Sequence, residues 1–219
     1  MKTLYNFSKQ VLKPTPLFKS ARRFRNHVRS RQIVRQLSCG EPFKLEIGGG
    51  NHPTPGYIHL DVLDSLPSWQ VDVIHDINKP FPFPDSSVSR IVTNHCVEHV
   101  SWRKLPYMLK ECSRILIPGG EMVIRTPDLE SIIKNYSNKT LVLENENEAQ
   151  YLRDHFGGVT QSWVVVLKLF AGQDFPSNFH YAAYDFEMLQ LLLLNAGFVS
   201  VEKLPETSWK DELHLLARK

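Results

Sequence analysis

The feature that most constrains this chain is a short apolar stretch that runs directly into three consecutive glycines. KLEI at 44–47 leads into GGGN at 48–51, and the acidic Glu46 stands two positions before the first glycine. Glycine lets the backbone pass close to a bound ligand where any Cβ would collide, although an ordinary tight turn has the same composition. The stretch predicts a buried strand that ends in a turn beside a ligand.

Two aspartates follow the next two predicted strands. Asp61 lies in YIHLDV at 57–62, and Asp76 lies in VDVIHDI at 71–77. Ligands of open α/β sheets bind outside the carboxyl ends of the strands, so one crevice would collect the glycines, both aspartates and Asn94. Asp61 could then accept both hydroxyls of a ribose and Asp76 could lie beside an adenine amine. The alternative interpretation is that both carboxylates are simply solvated.

The remaining pattern predicts an α/β fold, a Rossmann-like three-layer sandwich with a largely parallel sheet. Further strands are expected at 88–93, 121–125, 198–204 and 213–217, and helices at 17–37, 101–116, 128–136 and 185–196. About ten residues separate Gly48 from Tyr57, which is too few for a helix between parallel strands. The first crossover is therefore expected to be a loop, and one sheet face is expected to be short of cover.

The charge is divided unevenly along the chain. Residues 1–40 hold 10 Lys and Arg and no Asp or Glu, whereas the remainder holds 16 Lys and Arg against 23 Asp and Glu. We predict a basic N-terminal arm and helix at 1–40 and one domain at 41–219. A basic arm suits nucleic acid or an anionic membrane surface. Its apolar stripe, Leu17, Ala21, Phe24 and Val28, could instead cover the open sheet face.

The cellular context is predicted from what the chain lacks. The three cysteines form no CxxC pair, which fits a reducing cytoplasm. No run of about 18 apolar residues is present, so we expect no transmembrane segment, and the first residues lack the apolar core of a signal peptide.

Residues 137–180 read as an irregular insertion that forms a lid or an acceptor pocket. The stretch is polar and acidic at first, then apolar and rich in aromatic residues, namely Phe156, Trp163, Phe170, Phe175 and Phe179. These rings could line a binding pocket or merely pack the insertion onto the sheet.

A competing motif lies after the fourth strand. His95-Cys-Val-Glu98-His99 matches the HxxEH pattern of inverted zinc metalloproteases. That motif belongs inside a long helix, whereas here a strand ends near 93 and a helix restarts near 101. We therefore disfavour a protease and expect no metal.

Four segments resemble the class I S-adenosylmethionine-dependent methyltransferases, in particular those that methylate small molecules and glycans. They are LEIGGGN, IHLDV, HDINKPFPFPDSSVSRIVTNHCVEHV and LKECSRILIPGGEMVIRTPD, and they cover roughly 43–127. HYAAYDFEMLQLLLLNAGFVSVE resembles the late helix and strand of the family. The third glycine of the usual Gly-x-Gly-x-Gly loop is replaced by His52.

The resemblance implies a seven-stranded sheet whose last strand is reversed, with Leu213–Ala217 at its edge. It implies S-adenosyl-L-methionine as cofactor and S-adenosyl-L-homocysteine as product. The residues that would bind the cofactor are Glu46, Gly48, Gly49, Gly50, Asn51, Asp61, Val62, Asp76, Ile77 and Asn94.

The predicted activity is transfer of a methyl group, by in-line displacement, to an oxygen of a small-molecule or glycan acceptor. A hydroxyl acceptor needs a base, and histidine is the usual one near neutral pH. We predict His95 and His180 as catalytic residues and His99, His155 and Tyr181 as acceptor-binding residues, although each histidine also has a structural interpretation.

Two other functions are open. One is a nucleic-acid-associated methyltransferase-like protein, which the sequence Asn94-His-Cys-Val disfavours because base-amine methyltransferases carry Asn/Asp-Pro-Pro-Tyr there. The other is a non-catalytic partner protein, which the intact glycine run and Asp61 disfavour.

Overall fold

The computed structural model describes residues 16–50, 52–62, 70–173, 178–205 and 209–219, with side chains from residue 20 onward. The helices are α1 (Pro16–Leu37), α2 (Leu105–Ile115), α3 (Leu129–Ser137), α4 (Glu146–Phe156), α5 (Gln161–Phe170) and α6 (Phe186–Asn195). The strands are β1 (Phe43–Ile47), β2 (Ile58–Asp61), β3 (Val73–Ile74), β4 (Val88–Asn94), β5 (Leu116–Pro127), β6 (Ser200–Lys203) and β7 (Glu212–Arg218). A 3₁₀ turn at Val97–His99 follows β4.

The strands form one mixed sheet in the order β3-β2-β1-β4-β5-β7-β6. Neighbours from β3 to β5 pair in parallel, and β7 pairs antiparallel with both β5 and β6. This confirms the predicted fold class with its reversed strand. The edge position predicted for Leu213–Ala217 is wrong, because β7 lies inside the sheet. Its residues Leu213, Leu215, Leu216 and Ala217 are all buried, as an interior strand requires.

The two faces of the sheet differ in chemistry. One face buries an apolar core that includes Leu45, Ile91 and Met122 together with residues of α2 and α6. The other face carries a small cluster of Val92, Val123 and Leu216, which Tyr57 and Leu204 partly cover. Its outer end is charged, where Arg90 pairs with Glu121, and Arg218 pairs with Glu121 and Glu202. Among the described residues the first crossover contains no helix, and Tyr57 and Leu204 pack against this cluster.

Helix α1 packs on the sheet with a different side from the predicted one. Phe24 and Val28 are 73% and 41% exposed, whereas Asn26 and Ser30 are buried. The side chain of Leu17 lies outside the described residues. The predicted inward stripe is therefore wrong for Phe24 and Val28.

The reason is the edge strand that α1 covers. The backbone N–H of Ile74 in β3 donates to Ser30 Oγ at 3.0 Å, and Arg29 donates to the carbonyl of Val71 at 2.8 Å and pairs with Asp72. An edge strand presents unpaired backbone groups, so polar side chains of the helix satisfy them. Apolar contact with the core comes from Ile33, Val34 and Leu37 in the last turns.

The insertion is helical, which corrects the prediction of an irregular segment. The side chain of Asn145 caps α4 by accepting from two backbone N–H groups, and Gly157 ends the helix in the left-handed region. The side chain of Thr160 caps α5 by accepting from the backbone N–H of Trp163. Val164 of α5 packs with Leu141 and with Ile132 of α3, so the insertion has a small core of its own. None of the described helices is long and apolar enough to cross a bilayer.

Candidate active site

The glycine turn after β1 is packed tightly on two sides and open on the third. A Cβ on Gly48 would lie 2.7 Å from Cys96 Sγ, and one on Gly49 would lie 2.6 Å from Glu46 Oε2. A Cβ on Gly50 would meet no atom of the described residues within 4 Å, and Gly50 has a φ of 54°. The first two glycines are thus needed for packing, and the third faces open space at the strand ends.

Glu46 lies beneath this turn, fully buried, and holds the crossover loop. Its carboxyl oxygens accept from the N–H of Thr54 at 2.7 Å and from the hydroxyl of Thr54 at 2.6 Å. They also bond with His59 Nδ1 at 2.7 Å, and Asn94 Nδ2 approaches at 3.4 Å. The loop that replaces the crossover helix is therefore fastened to the sheet by one carboxyl group. Glu46 and Asn94 therefore lie beneath the glycine turn, next to the predicted cofactor region.

Asp61 ends β2 beside the glycine turn. Its carboxylate accepts from the N–H of Gly50 at 3.2 Å and is largely buried. The adjoining Val62 is more than half exposed. Asn51 lies outside the described residues. The strand ends therefore bring Gly50, Asp61 and Asn94 into one region, as predicted.

Asp76 and Ile77 lie one strand further out, after β3. Asp76 accepts from the backbone N–H of Asn78 at 3.0 Å and from its side-chain amide at 2.9 Å. These bonds, the backbone one above all, hold the pKa of Asp76 below its usual value. Ile77 packs against the main core. Asp76 thus closes a local turn and stays ionised at the rim of the crevice.

A cavity of about 380 Å³ also lies at the end of β4, and its lining does not include the glycine turn or Asp61. The ends of β4 and β5, the start of β7 and the insertion form its walls. The lining residues that carry chemistry are His95, His99, Lys168, His180, Asp211 and Glu212.

His95 stands at the entrance of this cavity in a left-handed backbone conformation, with a φ of 49°. Its Nδ1 bonds with Glu98 at 3.1 Å and its Nε2 with Glu212 at 2.8 Å, so both ring nitrogens donate to carboxylates. Burial alone lowers the pKa of His95, but the bonds to Glu212 and Glu98 together raise it to about 9. With no free lone pair, His95 does not have the geometry of the predicted base.

His99 and His180 meet deeper in the same cavity. Their ring centroids are 4.8 Å apart, with the rings nearly perpendicular. Each Nδ1 lies beside a backbone carbonyl, that of Phe179 at 3.0 Å and that of Lys168 at 3.2 Å. A carbonyl only accepts, so each Nδ1 is the donor and each Nε2 of a neutral ring carries a lone pair. Burial lowers the pKa of His180, which favours the neutral ring.

Two predicted acceptor-binding residues are not brought to this cavity. His155 is exposed on α4, where its ring stacks on Tyr151 at 4.4 Å between centroids. The side chain of Tyr181 is more than half exposed, although its N–H donates to the carbonyl of Glu98 at 2.8 Å.

Sequence reasoning missed Glu212, the second carboxylate on His95. Arg125 holds it with two bonds of 3.0 and 2.9 Å. Glu212 stands 117 positions beyond His95, and no local motif marks it. The available signal was an acidic residue at the very start of the apolar last strand.

Two sequence comparisons relate part of the chain to methyltransferases. Residues 61–124 match a family described as a methyltransferase domain. A Mycolicibacterium smegmatis protein named "Probable S-adenosylmethionine-dependent methyltransferase" is 36% identical over 59 residues, which are 27% of this chain and 22% of that protein. The chain thus matches about a fifth of that relative's length.

The fold is also that of a solved methyltransferase. A SAM-dependent methyltransferase from Archaeoglobus fulgidus has a TM-score of 0.52, covering 93% of this chain and 98% of the other at 15% identity. The architecture is therefore that of a class I methyltransferase. Residues 61–124 thus match a methyltransferase-domain family, and the chain has the fold of a solved SAM-dependent methyltransferase.

S-adenosyl-L-methionine is the cofactor of this class, and the residues of the crevice fit it. Gly50 has open space where a side chain would stand, so the backbone can approach a ligand closely. Asp61 places a carboxylate at the neighbouring strand end, where hydroxyl groups of a ribose need acceptors.

Proposed function

We propose that this protein transfers a methyl group from S-adenosyl-L-methionine to a hydroxyl oxygen of a small-molecule or glycan acceptor held in the histidine-lined cavity. One observation carries the proposal: a single turn at the end of β4 serves both regions. Cys96 in this turn packs against Gly48 of the glycine turn, and the adjacent His95 lines the cavity. Two ligands bound on either side of the turn would be neighbours.

The cofactor would be held by Gly48, Gly49, Gly50 and Asp61, with Val62, Asp76 and Ile77 at the rim. Asn51 and Asn94 are kept as proposed contacts, and Glu46 supports the turn from beneath. When bound, S-adenosyl-L-methionine supplies an electrophilic methyl group on a sulfonium sulfur, and the carbon–sulfur bond breaks as the acceptor oxygen bonds to that carbon.

The cavity suits a polar acceptor with several hydroxyl groups. Its walls carry charged side chains that pair with one another, among them Lys168 with Glu144 and Asp211, and hydroxyl groups of an acceptor could share such bonds. The indole of Trp209 adds a flat apolar surface at the same wall, on which the C–H face of a sugar ring could pack. This combination supports a glycan or polyol over an apolar acceptor.

We assign activation of the acceptor hydroxyl to the corner formed by His99 and His180. Both Nε2 lone pairs are available there, so this corner can bind the hydroxyl and draw off its proton as the oxygen attacks. His95 takes a different role. Bonded to Glu98 and Glu212, it is a positioning residue that fixes the wall of the cavity.

A cytoplasmic location and contact with an anionic membrane surface are further proposals. Free cysteines at Cys39, Cys96 and Cys112 support a reducing compartment. Exposed Phe24 and Val28 on the basic helix α1 support peripheral membrane contact. The observations favour neither nucleic acid nor a non-catalytic role.

The cofactor proposal is tested by calorimetric titration of the protein with S-adenosyl-L-methionine. We expect one site per chain, and Asp61→Asn should weaken it about tenfold or more, because a charged acceptor contributes more than a neutral one. Asp154→Asn, an exposed change on α4, is the matched control and should bind normally. A protein that binds no cofactor would overturn the enzyme assignment.

The acceptor proposal is tested by a screen of sugars, polyols, phenols and amines for release of S-adenosyl-L-homocysteine. Hydroxyl acceptors should react, and His180→Ala should lower kcat with little change in cofactor affinity. Methylation of amines alone would contradict the oxygen acceptor.

A further inference from the structure

We infer that Glu98, His99 and His180 form a binding site for one divalent transition-metal ion of the zinc type, at the inner wall of the acceptor cavity. One ligand atom from each of the three side chains lies within 4.8 Å of the other two. Ligands bonded to zinc at about 2.0–2.2 Å lie roughly 3–4 Å apart, so small side-chain rotations bring all three to one ion.

Both histidines have the tautomer that metal binding requires, with the proton on Nδ1 and a lone pair on Nε2. Each ring donates its Nδ1–H to a backbone carbonyl, that of Phe179 for His99 and that of Lys168 for His180. Histidines that bind metals nearly always donate their other nitrogen in this way, which fixes the ring and leaves the second nitrogen for the metal. The two rings lie 4.8 Å apart between centroids, and one nitrogen of each lies within 4.8 Å of the other and of the Glu98 carboxylate.

Glu98 supplies the negative charge behind the two rings. Its side chain is 1% exposed, and the charged ring of His95 is the cation that pairs with it in the metal-free protein. Among the described residues, one of its oxygens bonds with His95 and the other accepts from the hydroxyl of Thr126, which leaves lone pairs for a further ligand. Its backbone carbonyl also accepts from the N–H of Tyr181, which brings His180 close to the 3₁₀ turn.

His95 is excluded from the site, although it stands in the HxxEH motif. Both of its nitrogens are occupied by Glu98 and Glu212. The histidine pair of that motif therefore does not share a metal, and the third ligand comes from position 180, far along the chain. Three protein ligands leave a coordination position open, as in catalytic rather than structural zinc sites.

The open position would take the acceptor oxygen, since His99 and His180 both line the cavity. This role rests on the proposed function, whereas the site itself does not. A bound cation lowers the pKa of a coordinated hydroxyl, whose proton then passes to water in the cavity. With the ion bound, the ring nitrogens of His99 and His180 are ligands and no longer the base, so the cation takes over the activation that the proposed function gives to the metal-free corner.

The site is tested with zinc by isothermal titration of metal-stripped full-length protein, and with cobalt(II) as a coloured probe. We expect one ion per chain and visible cobalt absorption of a four- or five-coordinate site. His180→Ala and Glu98→Gln should each weaken zinc binding tenfold or more. His155→Ala, an exposed histidine of the insertion, is the matched control and should bind zinc normally. Circular dichroism of each variant confirms that it is folded.

Zinc binding that is absent, or that is equal in all four proteins, would overturn the inference. Full methyl transfer in the presence of a strong chelator would also overturn the catalytic role while leaving the proposed function intact. Stoichiometric zinc on Glu98, His99 and His180 in a protein that methylates no hydroxyl would support the site and reject the proposed function.

Discussion

Two buried glutamates, Glu46 and Glu98, lie on opposite sides of the end of β4 and differ in how completely their carboxyl groups are hydrogen-bonded. Both are almost inaccessible to solvent, and both contact a histidine. Glu46 is saturated, because Thr54 alone gives it two hydrogen bonds and His59 a third. Within the described part of the chain, Glu98 bonds with Thr126 and His95, and one nitrogen of each of His99 and His180 lies within 4.8 Å of its carboxylate. A saturated carboxyl group builds structure, whereas an unsaturated one beside lone pairs is suited to a cation.

The largest effect should come from Glu46→Gln. The amide would present N–H groups to the N–H of Thr54 or to His59, which leaves buried donors facing each other. We expect the free energy of unfolding to fall by about 2–4 kcal/mol, measured by urea denaturation at neutral pH. Glu187→Gln, at an exposed position of α6, is the control. A loss below about 1 kcal/mol would show that the loop is held by other contacts.

The next effect should separate two neighbouring glycines. Gly49→Ala places a methyl 2.6 Å from Glu46 Oε2, so the saturated carboxyl group must move, and we expect a loss of about 2–3 kcal/mol. Gly50→Ala meets open space and bears mainly the cost of a left-handed backbone, about 1–2 kcal/mol. Thermal and urea unfolding of the two variants test this order.

For cofactor affinity we expect the opposite order, with a larger loss for Gly50→Ala than for Gly49→Ala. The methyl of Gly50→Ala stands in the open space of the crevice, so this variant should lose more affinity than its small loss of stability suggests. If Gly50→Ala binds the cofactor normally, the crevice does not lie against Gly50.

The smallest change in stability should come from Glu98→Gln. The amide oxygen still accepts from Thr126, and His95 keeps its bond to Glu212. Because the ring of His95 is partly exposed, we expect a loss of about 1 kcal/mol in the metal-free protein. A loss as large as that of Glu46→Gln would mean that Glu98 is structural, and the contrast between the two glutamates would fail.

The sequence predicted those parts of the site that are local. The strand that runs into glycines, Asp61 at the end of the next strand and the loop crossover follow from short-range pattern and chain length. Helix α4 of the insertion could also have been predicted, because Asn145 and Gly157 are ordinary capping residues. The acidic composition of the segment instead led to the prediction of an irregular structure.

What the sequence could not predict depends on distant contacts. His99 meets His180 across 81 positions, and Glu212 reaches His95 from the last strand. The outward face of α1 was misjudged for a related reason. Apolar spacing predicts the packing side of a helix that covers other side chains, whereas α1 covers backbone groups of an edge strand.

The way Glu46 is fastened bears on the order in which the protein folds. Glu46 lies on β1, and its carboxyl group bonds with His59 of β2 and with Asn94 of β4. It also binds Thr54 in the loop between β1 and β2. These hydrogen bonds can form together only after the three strands are in register. We expect amide protons of the 52–56 loop to exchange sooner than those of the central strands, and to slow when the cofactor is added. The crevice would then be the last part of the domain to form. The fraction of molecules with an ordered crevice would depend on the cofactor concentration.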